Sequence, residues 1–215
     1  MKNSTGEIIA DLYHRYPLLK ICPVAAAVEE ILACYDRKNK LLICGNGGSA
    51  ADSLHIVGEL MKGFLLPRNL HEDKQMKIKA LFPEQAGYFI DHLQEAIPVI
   101  SLVNETALLT AYANDQAADL NFAQQVIGLG MPGDILIAVS TSGNSRNVVY
   151  AAQMAKVQEM KVIALTGRSG GLLKALADVL LSVPADETYI IQEYHLPIYH
   201  TICLAVENEL FGGVA

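Results

Sequence analysis

Five short apolar runs recur along the chain, and helical periodicity follows each of them. They are Lys40–Cys44, Pro98–Val103, Asp134–Val139, Lys161–Thr166 and Val179–Val183. None shows polar alternation, which is the pattern of strands covered on both faces. Helices are predicted over 49–60 with an end near Gly63, then over 104–112, 119–127, 147–159, 172–177 and 189–210. Strands alternating with helices predict a parallel sheet in an α/β fold, with ligands at the carboxyl ends of the strands. Two further helices, over 5–16 and 24–37, precede the first strand. Val24, Val28, Ile31 and Leu32 form an apolar stripe on the second. These helices can cover the chain's own core or pack on another subunit. Tyr13, His14 and Tyr16 are expected to dock the first of them. Residues 65–97 are too long for a plain connection and should carry helices of their own.

Composition narrows the class. The chain has 215 residues, 52% hydrophobic and 18% charged, enough for one domain with a large core and a surface that favours self-association. The net charge is −7 and no basic run occurs, which argues against nucleic acid as a ligand. A phosphate would then be held mainly by dipoles and hydroxyls. No apolar stretch has membrane-span length, so no membrane partner is expected. MKNSTGEIIADLYHRYP holds no signal-peptide core. Cys22, Cys34, Cys44 and Cys203 sit in apolar contexts without CxxC spacing. They are expected to be buried free thiols of a cytoplasmic protein, not zinc thiolates.

Candidate chemistry lies in two loops and two helices. Gly45-Asn46-Gly47-Gly48 follows the first strand and must turn tightly, with Ser49 as the expected helix N-cap. A strand, a glycine turn and a helix N-terminus make a recurrent anion site. His55 and Glu59 stand four apart on that helix and share a face. Ser140-Thr141-Ser142-Gly143-Asn144-Ser145 offers four hydroxyls and an amide after the third strand, a second and stronger anion signal. In the last helix Gln192 and His200 are eight apart and project on one side, with Pro197 expected to kink the helix between them. Taken alone, His195 or His200 reads as a core histidine. His71 and His92 are expected on the surface, and Glu193 and Glu207 in solvent.

Together GNGGS, the His55–Glu59 pair, Asn114-Asp115, STSGNS and the Gln192/His200 spacing resemble the SIS (sugar isomerase) domain family, closest to the phosphoheptose isomerases. The resemblance covers most of the chain outside 65–97, within a single domain spanning 1–215. It implies a flavodoxin-like three-layer αβα fold with a five-stranded parallel sheet, and a homotetramer with active sites at subunit interfaces. It implies a phosphosugar held by Asn46, Gly47, Gly48, Ser49, Asn114, Asp115, Ser140, Thr141, Ser142, Ser145 and Gln192. It further implies one zinc ion per subunit on His55, Glu59, Gln192 and His200, with Glu59 and His200 as the catalytic acid/base pair. The implied reaction converts sedoheptulose 7-phosphate to D-glycero-D-manno-heptose 7-phosphate through an enediol, on the way to ADP-heptose and surface polysaccharide. That reaction needs a base for a carbon-bound proton and an acid for an oxygen, which a carboxylate and an imidazole supply. Gln192 is an uncommon zinc donor, so the metal site is expected to be weak or partly filled. The chain departs from the family pattern at Lys62-Gly63, at Tyr189 in place of an acidic residue, and across 65–97 beside the cleft. The same fold also serves as a non-enzymatic scaffold that binds the replication initiator protein, or as a phosphosugar enzyme or sensor for another substrate. The intact His55, Glu59, Gln192 and His200 set favours the isomerase.

Overall fold

The computed structural model describes residues 4–213, so Met1–Asn3 of the N-terminal segment and the last two residues lie outside it. The five apolar runs become strands β1 (Leu41–Cys44), β2 (Val99–Ser101), β3 (Ile135–Val139), β4 (Lys161–Thr166) and β5 (Val179–Ser182). They form one sheet in the order β2-β1-β3-β4-β5, and every neighbouring pair is parallel. This is the doubly wound, flavodoxin-like order.

The helices are α1 (Thr5–Arg15), α2 (Val24–Asp36), α3 (Gly48–Met61), α4 (Glu72–Leu81), α5 (Ala86–His92), α6 (Thr106–Tyr112), α7 (Asn121–Leu129), α8 (Arg146–Val157) and α9 (Thr188–Phe211). Successive strand residues point to opposite faces, and the buried residues divide accordingly. Leu41, Ile43, Ile135, Ile137, Ile163 and Leu165 meet α1, α2, α3 and α9 on one face. Leu42, Cys44, Leu136, Ala138, Val162 and Ala164 meet α7 and α8 on the other. Two covered faces explain why the strands carry no polar alternation.

α1 opens on a capping box. Ser4 Oγ accepts from the Glu7 N–H at 3.2 Å, and Glu7 Oε2 accepts from the Ser4 N–H at 2.6 Å. Tyr13 donates to the Cys22 carbonyl at 2.7 Å and docks α1 as its position suggested. Leu12, Leu19, Val24, Val28 and Ile31 are fully buried within the single chain, so α1 and α2 do cover its own core. Leu18 and Ile21, between them, remain exposed. The four cysteines are buried and free, and burial pushes the thiols of Cys44 and Cys203 up to about 12. Residues 65–97 do carry helices of their own, and α4 has no buried residue. Among the described residues no helix is long and apolar enough to cross a membrane.

Two expectations need correction. Glu207 is not solvated: its side chain is 1% exposed and pairs with Arg68, which is fully buried, at 2.8 Å. The Glu207 carboxylate also accepts the N–H groups of Phe64, Leu65 and Leu66 at 2.7, 2.8 and 3.1 Å. Arg68 in turn donates to the carbonyls of Leu60 and Glu59 at 2.7 and 3.1 Å. The chain leaving α3 therefore wraps a carboxylate of α9, and the orphan carbonyls at the end of α3 find donors there. The helix predicted over 104–112 does not stop there but continues through a π-helical turn, Ala113–Ala117. Pro197 lies inside α9, a single helix over Thr188–Phe211, and Thr201 Oγ1 donates to the Pro197 carbonyl at 2.8 Å.

Two stability predictions follow from these buried groups. Glu207→Gln keeps the shape but leaves the Arg68 charge uncompensated, which should cost about 3–5 kcal/mol. A urea midpoint equal to that of the unaltered protein would show that the pair adds no net stability. His195, completely buried on α9, is pushed down from 6.5 to about 4 by burial. The unfolded imidazole takes up its proton near 6.5 and the folded one only near 4. The full contribution to stability therefore holds above 6.5 and is lost as pH falls through that window, by roughly 3 kcal/mol in all. His195→Leu should flatten this fall in urea titrations, and an unchanged pH profile would assign it to other groups.

Candidate functional site

The first anion loop joins β1 to α3. Gly47 has φ +55°, a left-handed conformation that suits glycine. A Cβ on Gly48 would lie 2.3 Å from Gln192 Nε2, so the absence of a side chain lets α9 close on the turn. The N-cap is Gly47, not Ser49 as expected. Turning through Gly47 starts the helix at Gly48, which puts Ser49 inside the first turn. It is 3% exposed there, and its N–H donates to the Asn46 carbonyl at 3.0 Å.

The second loop, between β3 and α8, is tied internally. Ser140 Oγ donates to Ser145 Oγ at 3.0 Å, and Ser142 Oγ accepts from the Asn144 N–H at 3.1 Å. The Thr141 carbonyl accepts from the Gly167 N–H at 2.8 Å. Asn144 Oδ1 holds the Leu172 N–H at 2.9 Å, which anchors the loop to the segment after β4. The two loops meet as the parallel sheet requires. Asn46 and Asn147 exchange amide hydrogen bonds at 2.8 and 2.9 Å across the crevice. Asn46, Ala118, Asp119, Ser145, Arg146 and Asn147 line a cavity of about 450 Å³ there. Asn114 and Asp115 are exposed and bond to each other at 2.8 Å, beside Ala118 and Asp119 and outside that lining. Sequence reasoning missed Asn147, because no local spacing links it to Asn46.

The second half of the site lies further along α3 and α9. His55 Nε2 stands 3.3 Å from Glu59 Oε1 and 3.5 Å from His200 Nε2. Lys62 Nζ, largely exposed, approaches Glu59 Oε2 at 3.2 Å. Burial, and then His55, holds the His200 imidazole below its ordinary range. Behind His55, the Tyr199 hydroxyl lies 3.0 Å from Nδ1 and 3.3 Å from Asp52 Oδ1. Burial pushes the Asp52 carboxyl and the Tyr199 phenol up. Sequence reasoning missed Asp52 and Tyr199 too. The available signal was Asp52 three residues before His55, on the same helix face.

The four residues expected to hold a metal do not converge within one chain. His55, Glu59 and His200 come together, whereas the Gln192 amide lies against Gly48. Gln192 and His200 are separated by about 12 Å along the helix axis at 1.5 Å per residue. Among the described residues no group of three or more His, Cys, Asp or Glu side chains is arranged to hold a metal ion. Imidazole and carboxylate are nonetheless donor types that zinc takes. Donors at 2.0–2.2 Å from a tetrahedral zinc stand about 3.3–3.6 Å from one another, the spacing at which His55 meets Glu59 and His200.

Comparison with known proteins places this arrangement. A family model described as the SIS domain matches residues 74–167. A phosphoheptose isomerase from Akkermansia muciniphila is 39% identical over 175 residues, covering 81% of this chain and 79% of its own. One from Laribacter hongkongensis is 36% identical over 213 residues, covering 97% and 95%. Among solved structures, the phosphoheptose isomerase of Neisseria gonorrhoeae superposes with a TM-score of 0.72 at 35% identity, covering 94% of each chain. That of Francisella tularensis gives 0.73 at 30% identity, covering 96% of this chain and all of the other. At 36–39% identity over most of its length, the chain belongs to the phosphoheptose isomerase family of SIS-domain proteins.

Proposed function

We propose that this chain is the enzyme that converts sedoheptulose 7-phosphate to D-glycero-D-manno-heptose 7-phosphate, a step of heptose biosynthesis. The observation that carries this is the meeting of a carboxylate, Glu59, with two imidazoles, His55 and His200, on helices that also border two anion loops. Glu59 is the base that takes the carbon-bound proton, and His200 serves the oxygen as the acid. The loop hydroxyls of Ser140, Thr141, Ser142 and Ser145, with the turn from Asn46 to Ser49 and the polar groups of Asn114, Asp115 and Gln192, bind the phosphosugar. Burial, and then His55, disfavours the charged form of the His200 imidazole.

The site is shared between subunits of a homotetramer. Glu59 lies eleven residues beyond Gly48, about 16 Å along a straight helix. With C–C bonds of ~1.5 Å, a seven-carbon sugar phosphate reaches roughly 10 Å. A phosphate on one chain's loops therefore cannot bring its sugar carbons to the same chain's Glu59. A second copy can, and exposed Leu18, Ile21, Met61 and Leu65 supply apolar surface for such contacts. The same reasoning gives the candidate zinc its fourth donor: His55, Glu59 and His200 of one chain and Gln192 of another would hold it. When bound, the ion would polarise the substrate carbonyl. Four buried free thiols support a cytoplasmic setting, where reducing conditions keep them so.

Purified protein should turn over sedoheptulose 7-phosphate in preference to shorter ketose phosphates. Conversion of another ketose phosphate in its place would reassign the substrate. His200→Asn should lower turnover by about 10²–10⁴-fold, and Ser142→Trp should abolish phosphosugar binding. Co-expression of these two variants should restore activity, because hybrid oligomers regain some intact shared sites. No recovery, or a monomer by light scattering, would confine the site to one chain and contradict the shared arrangement.

A further inference from the structure

We propose that Asp52 and Tyr199 are positioning residues that fix the tautomer of His55. They hold the ring hydrogen on Nδ1, so that Nε2 presents a bare lone pair to Glu59 and His200. The inference rests on His55 being a donor in the site described above.

The argument is one of hydrogen counting. The Tyr199 hydroxyl has one hydrogen and two neighbours, Asp52 Oδ1 at 3.3 Å and His55 Nδ1 at 3.0 Å. Asp52 Oδ2 is buried, and among the described residues it has no partner. Were the hydroxyl to donate to His55, the Asp52 carboxylate would lose its Tyr199 donor while its other oxygen stays buried and without a partner among the described residues. A buried charge left in that state is costly. The hydroxyl therefore donates to Asp52, and its oxygen accepts from His55. An imidazole nitrogen that gives a hydrogen bond must carry the hydrogen, so Nδ1 is N–H and Nε2 is bare.

The opposite tautomer would offer an Nε2–H to Glu59 at 3.3 Å. Glu59 depends on that donor less than Asp52 depends on Tyr199. Its side chain is 14% exposed and already has the Lys62 ammonium at 3.2 Å. The frame is also rigid. Tyr199 is 3% exposed, and its ring meets the His55 ring edge-on with centroids 5.5 Å apart. A bare Nε2 facing a carboxylate and a second imidazole makes an electron-rich point, the state a metal donor requires.

The test is nuclear magnetic resonance of metal-free protein labelled with ¹⁵N in its histidine rings, above the pH range of imidazole titration. His55 is assigned by the signals missing from His55→Asn. The wild type should show hydrogen on Nδ1 and none on Nε2. Asp52→Ala releases the Tyr199 hydroxyl to donate to His55 and should move the hydrogen to Nε2. Asp52→Asn keeps an acceptor for that hydroxyl and should restore the wild-type tautomer. Tyr199→Phe should populate both tautomers and weaken zinc binding by about 10–100-fold in competition with a chromophoric chelator. Hydrogen on Nε2 of the wild type, on both nitrogens, or a tautomer indifferent to Asp52→Ala would overturn the inference. If the wild type shows the expected tautomer but does not isomerise a sugar phosphate, the function fails and the tautomer assignment stands. If it isomerises the sugar with hydrogen on Nε2, the reverse holds.

Discussion

The structure depends on how closely α9 lies along α3. The contacts step along both helices in the same direction, so the two run parallel. Near the start, Gln192 occupies the space where Gly48 has no side chain. In the middle, Tyr199 and His200 meet Asp52 and His55. Past the end of α3, Glu207 gathers the N–H groups of residues 64–66 together with Arg68, which returns to the carbonyls of Glu59 and Leu60. A bulky residue at the first point would push the helices apart, and a missing charge at the last would release the chain that ends α3. Each failure would move His200 relative to His55 and Glu59. The chemistry of the site is thus held from both ends by packing that touches no substrate.

The sheet sets a second constraint. The loops after β1 and β3 are neighbours because β1 and β3 pair in parallel, with Cys44 opposite Ala138. The Asn46–Asn147 amide pair then bridges the two loops. The crevice is lined by amides, a hydroxyl and the single cation Arg146, which is paired with Asp119 at 3.1 Å. The helix that begins at this crevice carries Glu59 three turns away from it. One straight helix does not bring both of its ends to one small substrate, and the proposed sharing of the site between two chains rests on that distance.

Much of this was legible in the sequence. The strands of a doubly covered sheet are apolar without alternation, and β1, β3 and β4 could be read directly from LLIC, ILIAV and KVIALT. The glycine turn, STSGNS and the His55–Glu59 pair were legible because their chemistry is local. What depended on distant partners was not. Glu207 looks solvated until the bend at 64–66 folds over it and Arg68, 139 positions away, pairs with it. Ser49 looks like a cap until Gly47 takes the left-handed conformation and begins the helix earlier. Asp52 and Tyr199 are unremarkable apart, and only the packing of α9 on α3 makes them a unit around His55. Gln192 and His200 share a helix side in sequence, yet the helical rise keeps them from meeting.

The central claim is that Glu59 takes the carbon-bound proton of the sugar phosphate. Exchange of that proton with solvent deuterium, followed by nuclear magnetic resonance, reads this step directly and does not require product to be released. Glu59→Gln preserves size and hydrogen bonding while removing the basic carboxylate. The account predicts that exchange falls by about 10²–10⁴-fold in this variant while binding of the sugar phosphate is largely retained. Exchange at the wild-type rate would contradict it and place the base elsewhere.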